Sequence, residues 1–100
     1  MKIEVLYFKD CPNYGPAMDR LRAVLREEEI GAEVSEIEVP GAEAAKELRF
    51  IGSPTIRVNG LDIDAGSRSV QETAFACRRY PGGLPPEEMI RAALREARGQ

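Results

Sequence analysis

The chain contains no histidine. That absence removes Cys-His and Ser-His activation of a nucleophile, together with every zinc site that needs an imidazole. Cysteine is scarce as well: Cys11 and Cys77 are the only two. Two are too few for a disulfide scaffold, and in a reducing compartment such a pair is redox-active, metal-binding or simply free. Long apolar runs are missing, since no stretch approaches the roughly 20 residues that span a bilayer. Met1-Lys2-Ile3 leads straight into strand-like sequence rather than into a charged leader with an apolar region and a cleavage site. The expected location is therefore the cytoplasm of a bacterial-type cell, with no membrane partner. Positive charge is not in excess either: the net charge is -3, with Arg and Glu interspersed. No basic stripe is available to neutralise a run of phosphates, so nucleic acid is not an expected partner.

What is present fits one domain. One hundred residues with 43% hydrophobic content suffice to close a core over residues 1–100 without metal or disulfide staples. Ile3 to Phe8 is almost continuously apolar, as a central strand buried on both faces requires. From Pro16 the apolar positions Ala17, Met18, Leu21, Val24 and Leu25 recur at helical spacing, and Gly31 is the expected stop. Ala32 to Val39 reads as a second strand whose alternation slips between Val34 and Ile37, which suggests a bulge or an edge position. Ala42 to Phe50, alanine-rich and anchored by Leu48, reads as a short helix. Thr55 to Val58 and Leu61 to Asp64 flank Asn59-Gly60, the strongest two-residue hairpin signal. Pro85-Pro86-Glu87-Glu88 opens a final helix, with Met89, Ile90, Ala93, Leu94 and Ala97 on one stripe.

The order is β-α-β-α-β-β-α. A right-handed crossover makes the first two strands parallel and the hairpin adds an antiparallel pair, giving an α/β mixed four-stranded sheet with helices on both faces. Ala65 to Leu84 is an insertion of about twenty residues, where most connections run to about 4 to 6. Ser69-Val70-Gln71-Glu72 matches a capping box, so a short helix over Val70 to Arg78 is expected there.

Cys11 closes the first apolar run, in Phe8-Lys9-Asp10-Cys11-Pro12. A thiol at the handover from strand to helix sits near the positive end of a helix dipole, which favours the reactive thiolate, while the carboxylate of Asp10 acts in the opposite sense. Downstream, Gly52-Ser53-Pro54-Thr55 introduces the hairpin. The element order, Cys11-Pro12-Asn13-Tyr14 after the first strand, and Ser53-Pro54-Thr55 before the hairpin together resemble the thioredoxin superfamily, closest to its small glutaredoxin-like members. The resemblance covers residues 1 to 64 and 85 to 98. Arg49 to Gly60 and Ala76-Cys77-Arg78, with Pro85 to Leu94, also resemble a group of small bacterial thioredoxin-like proteins associated with organomercurial enzymes.

The resemblance implies that Cys11 is the attacking thiol, that Pro54 is cis, and that the backbone beside Pro54 pairs with an extended peptide or a thiol substrate. It makes Pro12, Tyr14, Ser53, Pro54 and Thr55 the expected substrate-contacting residues around Cys11. Tyr14 stands where a C-x-x-C motif has its second cysteine. A dithiol cycle inside the motif is thereby excluded, and the phenol is instead available to donate a hydrogen bond to the thiolate. The strand after Pro54 leads away from the Cys11 pole and the next leads back, so the insertion starts at that pole and Cys77 is a candidate resolving thiol. Two alternatives stand beside this: Cys77 buried beside Phe75 under the short helix, or Cys11 and Cys77 together holding a soft metal such as Hg(II) or Cu(I). Arg78 and Arg79 offer an anion site or a solvated surface. The expected activity is thiol-disulfide exchange on a protein or low-molecular-weight thiol or disulfide. No cofactor is required, and glutathione is the expected co-substrate if one is used. A non-catalytic thioredoxin-fold interaction module is the remaining alternative.

Overall fold

Hydrophobic periodicity places most of the architecture. The computed structural model of the chain describes residues 1–99, in which β1 (Lys2–Tyr7), α1 (Tyr14–Glu27), β2 (Glu33–Glu38), α2 (Ala42–Glu47), β3 (Thr55–Val58), β4 (Leu61–Asp62) and α3 (Glu87–Ala97) follow one another. The strands form one mixed sheet in the order β2-β1-β3-β4. β1 and β2 are parallel, with Ile3 opposite Val34 and Leu6 opposite Ile37. β1 and β3 are antiparallel, with Val5 opposite Ile56.

β1 is thus a central strand, and its period-2 alternation divides the core. Ile3 and Val5 point to the face covered by Met18, Leu21, Val24 and Leu25 of α1 and by Ile90, Ala93 and Leu94 of α3. Leu6 points the other way, toward Val39, Ala45 and Phe50. The α1 and α3 stripes carry the larger burial, and each fully buried Leu, Ile or Val contributes about 1.5–3 kcal/mol. β2 is an edge strand whose register with β1 runs unbroken from Lys2–Glu33 to Tyr7–Glu38, so the slipped alternation reflects the edge rather than a bulge. Among the described residues no helix is long and apolar enough to cross a membrane.

The helix ends depart from the glycine rule. α1 stops before Gly31: Glu29 takes φ 53°, while Ile30 N donates to Leu25 O at 2.9 Å and Glu29 N to Arg26 O at 3.1 Å. These two bonds are a Schellman closure built on glutamate. α2 closes the same way through Arg49 at φ 55°, with Phe50 N on Ala45 O at 2.8 Å. That closure turns Phe50 back into the core, where it is fully buried.

The hairpin forms with Asn59 at φ 51° and Gly60 at φ 85°, the pair of positive angles that a type I′ turn demands. β4 is shorter than the Leu61 to Asp64 expectation. It pairs through Leu61 and Asp62, and Asp64 instead caps a single 3-10 turn at Ala65–Ser67, accepting from Gly66 N at 3.1 Å and Ser67 Oγ at 2.9 Å.

The helix expected over Val70 to Arg78 is absent, and this segment is irregular, with bends at Phe75 and Ala76 and a single bridge at Cys77. Its backbone groups are used elsewhere: Ala74 N donates to Phe50 O at 3.0 Å, Ser53 N to Ala76 O at 2.8 Å and Arg78 N to Ser53 O at 2.9 Å. A helix would have claimed those same donors and acceptors. The two large apolar side chains here, Val70 and Phe75, are about half exposed (48% and 45%), so no apolar stripe was available to dock a helix.

Candidate functional site

The site lies where β1 and the turn before β3 meet. β1 ends at Tyr7, and Cys11 N donates to Phe8 O at 3.3 Å across a turn whose third residue, Asp10, has φ 66°. A positive angle at that position marks a type II turn, one of the few places where a short polar residue stands in for glycine. Tyr14 N then donates to Cys11 O at 3.3 Å and Ala17 N to Asn13 O at 3.0 Å. Asn13 is the cap residue and α1 begins at Tyr14, so Cys11 precedes the helix rather than forming its first turn.

Cys11 is buried, with 8% of its surface exposed, and Pro12 beside it is exposed. The ring of Tyr14 is committed to Tyr7, stacked at 3.8 Å between centroids and 12° between planes.

Across from this turn, the Ser53-Pro54 peptide bond is cis. Ser53, Pro54 and Thr55 are all buried. Ser53 Oγ accepts from Phe8 N at 3.3 Å, and Thr55 Oγ1 donates to Gly52 O at 2.6 Å. The two cysteines are linked through this turn. Cys77 forms a parallel bridge with Ser53, Ser53 bonds Phe8, and the Phe8 carbonyl holds the Cys11 amide. The backbones of both cysteines therefore lie at one end of the sheet, Cys11 buried and Cys77 exposed.

The burial of Cys77 under a helix is corrected on both counts, since there is no helix and the thiol faces solvent. It lines a cavity of about 540 Å³ with Phe8, Val39, Pro40 and Phe75. Phe75 packs against Phe8 at 5.3 Å and a tilt of 58°.

Arg78 is neither a solvated side chain nor an anion holder. It is 9% exposed, and its guanidinium binds Asp62 through two bonds, Nη1 to Oδ2 at 2.7 Å and Nη2 to Oδ1 at 2.9 Å. It also lies over the Tyr80 ring at 4.6 Å. A buried carboxylate at the end of β4 requires a partner, and a planar fork matches it in two-point geometry. Burial works against the charge of Arg78, but the bonds it donates to Asp62 and the negative charge of that carboxylate more than offset this and raise its pKa. Tyr80 is buried too, and burial raises its phenol above the ordinary value despite the opposing pull of Arg78. Its hydroxyl donates to Pro54 O at 2.8 Å. Arg79, by contrast, is exposed.

Asp62, Tyr80 and Gly52 are the residues that the sequence did not single out. Gly52 has φ 132°, and a Cβ there would come within 2.8 Å of the Arg78 Cβ and 3.0 Å of its Cα. The alternation in Leu61-Asp62-Ile63-Asp64 points the other way, since it sets Asp62 on the face opposite Ile63, whereas Asp62 and Ile63 are both buried and Leu61 is exposed. Among the described residues no cluster of three or more His, Cys, Asp or Glu side chains is arranged to hold a metal ion. Compared with family models, curated proteins and solved structures, the chain matches none.

Proposed function

We propose that the protein is a thioredoxin-like, single-cysteine-motif module that carries out thiol-disulfide exchange, with Cys11 attacking and Cys77 resolving. The observation that carries this reading is the bridge of Cys77 to Ser53, one hydrogen-bonded step from the Cys11 turn through Phe8. The element order, the mixed sheet and the cis Ser53-Pro54 bond lend support.

In the exchange, the Cys11 thiolate attacks one sulfur of a disulfide and the other sulfur leaves as a thiolate that takes a proton from water. The Cys77 thiolate then attacks the Cys11 sulfur and expels the second substrate thiolate. Two electrons have passed from the protein dithiol to the substrate, leaving a Cys11–Cys77 disulfide. A low-molecular-weight thiol such as glutathione reverses the sequence and is itself oxidised. Closure of the bond requires the two Cα atoms to come within about 4.4–6.8 Å.

Alkylation kinetics with mass mapping test the reading. The expectation is that mild oxidation links Cys11 to Cys77 or to glutathione, and that Cys11 labels near pH 7 faster than a free model thiol. Slow labelling of Cys11 with no such linkage rules exchange out. A second reading is favoured by one observation, the 8% exposure of Cys11: a non-catalytic interaction module in which Cys11 is a small apolar core residue. Under that reading Cys77 alone labels and Cys11→Ala leaves partner binding intact.

A further inference from the structure

The outer edge of β3 is the place beside Cys11 where an extended polypeptide would add as a strand, since an uncovered edge offers free N–H and C=O groups. β4 covers only one end of it, pairing at Arg57 and Val58, with Ile63 N reaching Ile56 O at 3.1 Å. At the end next to the Cys11 turn, both backbone groups of Ser53 are already taken by this chain, the N–H by Ala76 O and the C=O by Arg78 N.

The occupying segment is fixed from several sides. Ala74 N bonds Phe50 O, Arg78 binds Asp62 at two points, and Tyr80 Oη donates to Pro54 O. Gly52 lets the two backbones approach to a distance that a Cβ would forbid. Residues 74–77 are all exposed, and from Cys77 onward exposed and buried positions alternate, so that Arg78 and Tyr80 are buried and Cys77 and Arg79 face solvent.

We infer that residues 74–78 act as a built-in occupant of the pairing edge and select the substrate class: the site at Cys11 takes small disulfides and excludes extended polypeptide disulfides while the strap is docked. The inference rests on the exchange reading above. A low exposure of Cys11 acts in the same direction, since a narrow approach admits a small molecule more readily than a chain. The step itself is the first exchange, in which the Cys11–sulfur bond forms and the probe's other sulfur leaves as a thiolate and is protonated.

The full reduced chain carrying Cys77→Ser isolates Cys11 as the sole thiol. Two probes are compared: bis(2-hydroxyethyl) disulfide, and a ten-residue unstructured peptide whose cysteine is disulfide-bonded to 2-mercaptoethanol. The expected result is a mixed disulfide at Cys11 that forms about tenfold or more faster with the small probe, because strap opening must precede peptide pairing. Gly52→Ala, which wedges a methyl against Arg78, raises the peptide rate relative to the small-probe rate. Tyr80→Phe, a milder release that keeps the Arg78–Asp62 pair, moves the peptide rate the same way by less.

Amide hydrogen exchange at Ser53 and Arg78 reports whether the strap has opened. Equal rates for the two probes in the starting chain overturn the proposal. So does a peptide rate unaltered by a variant in which those two amides have lost protection while β1 keeps its own. If Cys11 reacts with neither probe when folded but alkylates normally in denaturant, the exchange reading fails and this inference fails with it.

Discussion

The face of the sheet covered by α1 and α3 and the segment 65–84 at its edge are held by different forces. The first is a continuous apolar layer in which Leu21, Ile56, Ile90 and Leu94 are fully buried. The second leaves Val70 and Phe75 half exposed and is fixed by a handful of polar contacts, chiefly Arg78 with Asp62, Tyr80 with the Pro54 carbonyl, and the backbone of Ser53. Apolar layers resist through many weak contacts, whereas a polar strap depends on a few strong ones that fail one at a time. The domain is therefore expected to open first along residues 74–80 and to unfold as a whole only when the layer gives way.

Phe50→Ala gives the largest expected effect. Phe50 is fully buried on the α2 side, and its truncation costs about 3–5 kcal/mol. In urea unfolding followed by circular dichroism the midpoint falls with the slope unchanged. A loss below about 1 kcal/mol would mean that this side of the sheet is not a packed core. Asp62→Ala comes next, because it removes the two-point partner of a buried guanidinium and leaves only Asp64 at 3.8 Å and Thr55 Oγ1 at 3.4 Å, a change that costs up to about 3 kcal/mol. Part of this is relieved by local opening, so exchange at the amides of residues 74–80 rises before that of β1. Uniform acceleration in both regions would erase the contrast between them.

The smallest effect concerns the surface where α1 and α3 meet. The hydrogen bond from Arg95, opposed by burial and aided by the charges of Arg98 and Arg91, holds the Glu28 carboxyl below its ordinary range. A carboxyl lowered on folding contributes stability that is present above its unfolded pKa and is lost as pH falls through the folded value. Denaturant midpoints from pH 6 down to pH 3 are therefore expected to decline less steeply in Glu28→Gln, and added salt narrows the gap further. Identical pH profiles for the two proteins would remove Glu28 from the account.

The same contrast explains what could be read from the chain beforehand. β1, α1, α3 and the Asn59-Gly60 hairpin follow from periodicity and turn chemistry, both of which are local. α1 ends short of the expected Gly31 because a left-handed glutamate, Glu29, closes it. The helix expected over 70–78 had a capping box but no apolar face, and the long-range pull of Ser53 and Phe50 decided its backbone. The anion-site and solvated-surface readings of Arg78 both miss its partner, which lies 16 residues away in sequence. That a turn follows β1 at Cys11 and another precedes β3 at Ser53-Pro54 could be read from residue types. That Ser53 and Thr55 are buried, and that Tyr14 stacks on Tyr7, depends on neighbours that only the folded chain brings together.

Gly52 also limits how freely the insertion can be moved between proteins. Because the strap touches its seat through a missing side chain, a protein engineer transplanting residues 65–84 onto another sheet would have to carry the glycine along, together with an aspartate at the position of Asp62 and a free carbonyl to receive Tyr80. The segment is half of a matched pair whose other half lies 16 to 26 residues before the side chains it holds, and neither half is a portable part without the other.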